Sequence, residues 1–295
     1  MLAREGTQGE LRFFTQRQSP GLATISCTLT SSTPTTTTYT LTSSLLPPSS
    51  PPLIITYPPP QTTASSPPKT SVVWDDHVQT IDLGPVASNW VTNVVDHFSA
   101  PTRSSLPPVR SEHGVIKLVA FDSSHNCRSP DKKYFPGTAV KGDGGIPETA
   151  LSDGFPILLV GTASLDELNS RIKRNGGKEV NMKRFRPNIV VNTNTPFEED
   201  EWRIIRISGV VYHVLKGCPR CKQACTDQDT GEVTPEPGFT LASFRKMSKR
   251  NPQDFYFGQN VATTNTEGKV EVGDVVEVIK KGKGGVWDKD TVKAE

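Results

Sequence analysis

Three of the chain's five cysteines, Cys218, Cys221 and Cys225, fall within the stretch Gly217 to Gly231, GCPRCKQACTDQDTG. A thiolate is both a nucleophile and a soft metal ligand, so a cluster of thiols points first to chemistry. Arg220 stands directly before Cys221. A guanidinium beside a thiol favours the thiolate, and its planar fork also matches a phosphate. The polar segment Asp227-Gln228-Asp229-Thr230-Gly231 that follows is turn-prone and holds the loop near the surface.

Spacing leaves several readings of these thiols open. A zinc ribbon needs a second ligand pair, and Cys218-x-x-Cys221 has no matching Cys-x-x-Cys downstream; Cys225 with His213 would complete a set at a spacing that fits no familiar module. A thioredoxin-type redox pair needs a strand before it and a helix after it. The strand is there, Val210 to Leu215, but no helical run begins at Cys221. The thiols can also be plain, partly buried small hydrophobes.

The rest of the chain must position this stretch. It has 295 residues, enough for one large or two ordinary domains, and a net charge of +2. So balanced a charge leaves no electrostatic footprint for nucleic acid or an anionic membrane. Hydrophobic residues make up 34% of the chain, a low share whose deficit lies in the Ser-, Thr- and Pro-rich first seventy or so residues. An odd cysteine count, with no charged and then apolar leader, speaks against a disulfide framework. No apolar run approaches the roughly 20 residues of a membrane span, and a soluble protein of the cytoplasm or the mitochondrial surface is expected.

In chain order, Leu11 to Gln18 reads as a strand with no partner before it, then Ser19-Pro20-Gly21 as a turn and Leu22 to Leu29 as a strand. Residues 31–68 read as a mobile Ser/Thr/Pro insertion with one island of strand, Leu53 to Tyr57. Val72 to Trp74 and Ile116 to Phe121 read as strands. Pro85 to Phe98 reads as a helix with Val86, Trp90, Val91, Val94, Val95 and Phe98 on its apolar face. Residues 122–150 form a polar loop whose length suggests a lid or a binding loop. Phe155 to Val160 is a strand buried on both faces. A helix follows from Thr162, with Ser164 and Glu167 as a capping box and Gly176-Gly177 as its stop. Asn188 to Asn192, Ile204 to Ile207 and Val210 to Leu215 read as strands, and Leu241 to Met247 as a short helix. Val270 to Val278 reads as two strands about a Gly-Asp turn. The fold class is therefore α+β, mostly β and barrel-like. No Gly-rich phosphate loop links a strand to a helix.

Several stretches together resemble one family. They are Ser152-Asp153-Gly154-Phe155-Pro156, Ala163-Ser164-Leu165 with Leu168-Asn169, Arg184 to Val191, Phe197 to Trp202, Cys218-Pro219-Arg220-Cys221, Asp227 to Gly231, and Phe257-Gly258-Gln259-Asn260. This pattern is similar to the MOSC (molybdenum cofactor sulfurase C-terminal) domain, and within it most resembles the mitochondrial amidoxime-reducing component and its relatives. Phe14 to Pro20 resembles the last strand of the β-barrel domain that precedes MOSC. The resemblance implies three segments: 1–30 as a remnant of that N-terminal barrel, 31–69 as a low-complexity insertion, and 70–295 as the MOSC domain.

The resemblance also implies a molybdenum-molybdopterin cofactor. The cysteine closing the C-x-R-C pattern, Cys221, would be metal ligand and catalytic residue; Ser152, Asp153, Arg186, Asn188, Arg220 and Asn260 would be cofactor-binding. Cys218 and Cys225 would be structural. The implied activity is reduction of N-hydroxylated or N-oxide compounds, with electrons from a cytochrome b5 type protein and its flavin reductase. A carrier role is the alternative: MOSC domains also close cofactor sulfurases, where the partner is a pyridoxal-phosphate desulfurase domain. A cofactor-free remnant is a third reading. The family's Pro-x-Lys-Ser segment and Asp-Arg pair have no match before Leu11, so the chain is expected to be truncated. It would then lose about two charge-assisted cofactor contacts, each on the order of 1.5–3 kcal/mol.

Overall fold

The computed structural model describes residues 1–5, 10–59, 68–99, 115–125, 127–128, 134, 148–265 and 267–282. The fold is mostly β with three α-helices among the described residues. It divides into two compact units, Met1–Cys127 with Thr226–Val233 and Arg128–Cys225 with Thr234–Glu295. No helix among the described residues is long and apolar enough to cross a membrane. Most of the polar loop 122–150 lies outside the described residues.

The first unit contains β1 (Leu2–Glu5), β2 (Leu11–Phe13), β3 (Ile25–Ser32), β4 (Thr37–Ser43), β5 (Leu53–Tyr57), β6 (Lys69–Val73), β7 (Asp76–Asp82), α1 (Gly84–Ser99) and β8 (Lys117–Phe121). Strands β1-β2-β6-β7-β8 close a barrel. The strand at Leu11 therefore has partners after all: β1 antiparallel on one side and β6 parallel on the other. It is also shorter than the sequence suggests. The turn expected at Ser19 to Gly21 is present as a 3-10 turn over Pro20–Thr24, but it runs on through Leu22 to Thr24, where a strand was expected; Pro20 presets its dihedral angle and Gly21 packs on Phe98. A Cβ on Gly21 would lie 2.4 Å from Phe98 Cβ.

The Ser/Thr/Pro stretch is not structureless where it is described. Strands β3-β4-β5 form an antiparallel sheet. Threonine is β-branched and fits a pleated sheet, and sparse apolar residues at alternate positions supply one buried face. Leu41 and Leu53 are buried with Ala87, Trp90, Val91, Val94 and Val95 of α1, and Ile25, Tyr39 and Ile55 pack on the same cluster. Trp90 Nε1 donates to Pro51 O at 3.2 Å, tying the helix to this stretch. Asp82 accepts the Gly84 N–H at 3.0 Å at the start of α1. Val86, expected on the apolar face, is 75% exposed. It lies about 100° around the helix from Ala87, on the solvent side of the buried stripe.

The second unit contains β9 (Ile157–Gly161), α2 (Thr162–Arg174), β10 (Ile189–Val191), β11 (Trp202–Ile207), β12 (Val210–Pro219), α3 (Gly238–Phe244), β13 (Tyr256–Thr263) and β14 (Val276–Lys281). Its sheet runs β10-β9-β13-β12-β11-β14. Only β10 and β9 pair in parallel, joined through α2, since parallel neighbours need a crossover. Strand β9 is buried on both faces as its apolar run predicts. Leu158 and Val160 face the helices with Leu168, Ile172, Phe185, Leu241 and Phe257; Leu159 faces Val191, Trp202, Ile205, Tyr212 and Val261.

Two local expectations fail here. Ser164 does not cap α2, whose first flanking residue is Gly161 with no side-chain cap. Its hydroxyl instead donates to the buried Glu199 at 2.7 Å and accepts the Phe197 N–H at 2.8 Å. The C-terminal pattern yields one strand, β14, rather than two: β14 takes the edge of β11, while residues 270–275 carry no strand and Val272 is fully exposed.

Candidate functional site

The cysteine stretch emerges where β12 ends. Strand β12 runs to Pro219, Arg220 N donates to Phe255 O at 2.9 Å, and Lys222–Cys225 closes as a 3-10 turn with Ala224 N on Cys221 O at 3.1 Å. No cysteine forms a disulfide. The three thiols have different surroundings. Cys218 packs against the helix-side core, Cys225 is half-buried, and Cys221 is exposed. Burial pushes the Cys225 thiol above its usual range, opposed by the Gly238 N–H. Its Sγ also lies 3.7 Å from Pro235 O. A half-buried thiol with such neighbours is a packing group, whereas Cys221 is exposed.

Arg220 is the centre of the arrangement. Its Nη1 donates to Cys218 Sγ at 3.1 Å and its Nη2 to Phe185 O at 2.9 Å. Its guanidinium carbon stands 5.4 Å from the Phe185 ring centroid, and that ring stacks on Phe257 at 4.1 Å. The same side chain thus joins the turn that carries Cys221 to the turn that carries Arg186. Its Nε is buried without a hydrogen-bond partner, an uncompensated donor inside the site.

Arg186 follows Phe185 at the end of a 3-10 turn, in the left-handed region at φ 55° and ψ 47°. A non-glycine residue there is strained, and the conformation leaves its side chain exposed while Phe185 stays buried. On the other side of Phe185, Arg184 is buried: its Nη1 donates to Cys225 O at 2.9 Å and Thr234 Oγ1 at 3.0 Å. Arg184 has no role among the expected site residues; its alternation with Arg186 about a buried Phe is the signal in the sequence.

Asn188 and Asn260 belong to one row across the sheet. Asn188 Oδ1 accepts the Leu158 N–H at 2.9 Å, and Asn188 N donates to Leu158 O at 2.9 Å. Leu158 pairs with Asn260, which pairs with Lys216. Asn188 thus commits its side-chain oxygen to β9, which orients its amide NH2. Ser152 lies in the segment leading to β9, where its carbonyl accepts Arg128 Nη1 at 2.8 Å and its hydroxyl is bonded to that of Thr149. Asp153 is exposed beside it. Arg220 therefore links the chain neighbours of Cys221 and Arg186 through its bonds to Cys218 and Phe185, Asn188 and Asn260 are related by register, and Ser152 and Asp153 sit in a separate segment.

Behind this surface lies an acid pair that the sequence showed only as the run Glu198-Glu199-Asp200-Glu201. Glu199 is fully buried and accepts the Gly161 N–H at 3.2 Å as well as the Ser164 hydroxyl. Asp200 accepts Arg245 Nη2 at 2.9 Å and Gln259 Nε2 at 2.7 Å. Burial pushes the Asp200 carboxyl up to about 6, against the pull of Arg245. Arg245 also donates through Nε to Tyr256 O at 3.0 Å, and Tyr256 pairs with Pro219. This clasp fixes the start of β13, against which Arg220 N is bonded. His213, the other residue considered for a metal, is buried on β12 with Nδ1 unpartnered, and burial lowers its pKa from 6.5. Among the described residues, no group of three or more His, Cys, Asp or Glu side chains could hold a metal ion.

Residues 147–277 match the family model of the MOSC domain. The molybdenum cofactor sulfurase of Botryotinia fuckeliana (strain B05.10) is 32% identical over 142 residues, which cover 43% of this chain and 17% of the relative. The mitochondrial amidoxime reducing component 2 of Rattus norvegicus is 39% identical over 132 residues, 44% of this chain and 37% of the relative. The mitochondrial amidoxime-reducing component 1 of Danio rerio is 31% identical over 207 residues, 69% of this chain and 55% of the relative. The chain thus spans well under two thirds of the length of each of these relatives.

Proposed function

We propose, from the premise that this chain carries a MOSC domain over residues 147–277, that it binds a molybdenum-molybdopterin cofactor through Cys221. We further propose that it reduces N-hydroxylated or N-oxide compounds with electrons delivered by a cytochrome b5 type protein and its flavin reductase. The observation that carries the reading is the Arg220 bridge: one guanidinium joins Cys218 Sγ and Phe185 O and so ties the strand end that leads to the exposed Cys221 to the turn that leads to the exposed Arg186.

The donor set suits the group. A thiolate is the soft ligand that a late-binding, thiophilic metal centre prefers, and Cys221 has the exposed thiol of the three. The buried, unpartnered Nε of Arg220 is a donor whose compensation a bound anion would improve. Bound there, the cofactor supplies the oxygen-atom transfer and the redox capacity that no side chain has. The chain's own residues supply position. Arg220 holds the Cys221 turn by a fork that a lysine could not reproduce. Arg186 would offer a guanidinium to a terminal phosphate, the Asn188 amide nitrogen and Asn260 would offer donors to a heterocycle's edge, and Ser152 and Asp153, on the segment before β9, would be further cofactor contacts.

Similarity to the cofactor sulfurase favours a second reading, in which the domain holds the cofactor without turning over a substrate. Turnover separates the two. The purified, metal-loaded chain, supplied with a cytochrome b5 and its reductase, is expected to oxidise NADH in proportion to added benzamidoxime. Molybdenum-replete protein that shows no amidoxime-dependent oxidation would replace the reductase reading with the carrier.

A further inference from the structure

Strand β3 is an unguarded sheet edge. Among the described residues it pairs with β4 alone in the sheet β3-β4-β5, and Ser26 to Ser32 are exposed. Open edges are ordinarily blunted by charge, proline or shortness. The chain's other terminal strands follow that rule. Strand β14 carries Glu277, Lys280 and Lys281; β10 has three residues; β5 is flanked by Pro51, Pro52, Pro58 and Pro59, and Tyr57 donates its hydroxyl to Phe121 O at 3.2 Å. Strand β3 has eight residues, no proline between Pro20 and Pro34, and no charge: the sequence from Gln18 to Pro68 holds no Asp, Glu, Lys, Arg or His.

The edge also ends in uncovered apolar surface. Residues directly opposite in an antiparallel pair share a face. Cys27 is opposite the buried Leu41, and Leu29 is opposite Tyr39, which packs on the α1 core and is itself opposite Ile55. The apolar row Ile55-Tyr39-Leu29 therefore runs off the core at Leu29, which is 58% exposed.

We propose that β3 is a self-association edge, at which two copies of this chain pair their β3 strands antiparallel about a two-fold axis through Cys27. The regular register runs from Ile25 to Leu29 and then shifts before Ser31, and Cys27 is the midpoint of that regular run. Centring the axis there sets Ile25 opposite the partner copy's Leu29, both on the core face, and Ser26 opposite its Thr28 on the polar face. Every face is conserved, as a continued sheet requires. Leu29 is then covered by the partner copy's Ile25, and neither strand brings a charge to repel the other. A contact of this length falls below the roughly 1,200 Å² of a standard interface, so the dimer belongs to the weak, reversible class.

The full reduced chain, followed by sedimentation velocity from low to high micromolar concentration, is expected to double in mass. Thr28→Lys, which places a like charge beside its own symmetry mate, is expected to stay monomeric with an unchanged melting temperature. Should that variant fold poorly, crosslinking decides. Antiparallel neighbours stand about 4.5–5.5 Å apart at Cα, within reach of a disulfide. Diamide, which takes up two electrons and two protons as two thiols join, should give a covalent dimer in the wild type and in Cys221→Ser but not in Cys27→Ser. A chain that stays monomeric at every concentration and gives no Cys27-dependent dimer overturns the proposal. A dimer that survives both Thr28→Lys and Cys27→Ser also overturns it, because association would then use another surface.

Discussion

Arg245→Met removes the cation that faces the buried Asp200. The carboxyl is already pushed up from 3.8 to about 6 by burial, with Arg245 and Gln259 holding it down. A folded-state value above the unfolded one means that the folded chain binds the proton more tightly. This group's contribution is therefore fully present below pH 3.8 and lost as pH rises through about 6. A shift of that size corresponds to about 3 kcal/mol by pH 8, at about 1.4 kcal/mol per unit. In Arg245→Met the carboxylate at pH 8 stands buried without its partner, and breaking a buried pair costs about 3–5 kcal/mol. At pH 5 the carboxyl is protonated in both proteins. What remains is the lost bond to Tyr256 O and the stacking on Phe197 at 4.1 Å, together about 1–2 kcal/mol. Urea unfolding of both proteins at pH 5 and pH 8 gives the double difference, in which every other titrating group cancels. The penalty should be larger at pH 8 by about 2 kcal/mol. Equal penalties at the two pH values, or a larger one at pH 5, would refute a buried, ionising Asp200 that depends on Arg245.

Other outcomes follow from the same contacts. His213 is held neutral by burial, so the unfolded chain takes its proton first. Stability should be full above pH 6.5 and fall below it, and His213→Phe should flatten that slope in urea titrations between pH 5 and 7. Arg220→Lys keeps the charge but cannot fork between Cys218 and Phe185 O; it should lower molybdenum retention roughly tenfold or more while thermal unfolding moves by only a few degrees. Gly21→Ala should destabilise by about 1–3 kcal/mol in denaturant titration, because its Cβ would meet Phe98 at 2.4 Å.

Much of the second unit was legible because its elements carry strong periodicity. The apolar run ending at Val160, the helix from Thr162 and the strands about Ser208-Gly209 all fall within a few residues of the observed β9, α2, β11 and β12. Within the Ser/Thr/Pro stretch the strand at Leu53 to Tyr57 was legible and matches β5, but β4 was not, because the composition around it matches that of disorder while its few apolar residues alternate with period two and find α1 to pack against. Ser164 shows the limit of local motifs. Its spacing to Glu167 fits a capping box, yet Glu199, buried and 35 residues away, claims its hydroxyl. The same holds at the site. The family resemblance singled out Cys221, Arg220, Arg186 and Asn188 as candidates, but only the fold reveals that Arg220 is committed to Cys218 and Phe185 O, and that the Asn188 side-chain oxygen is bonded to β9.

The central claim is that Cys221 holds a molybdenum cofactor, and the most direct test is the metal and pterin content of wild type and Cys221→Ala, purified side by side from a cofactor-producing host. Near-stoichiometric molybdenum and pterin are expected in the wild type, and weakened retention or an altered metal spectrum in a variant that is equally well folded. No molybdenum in either protein, or equal retention with identical spectra in both, would contradict it.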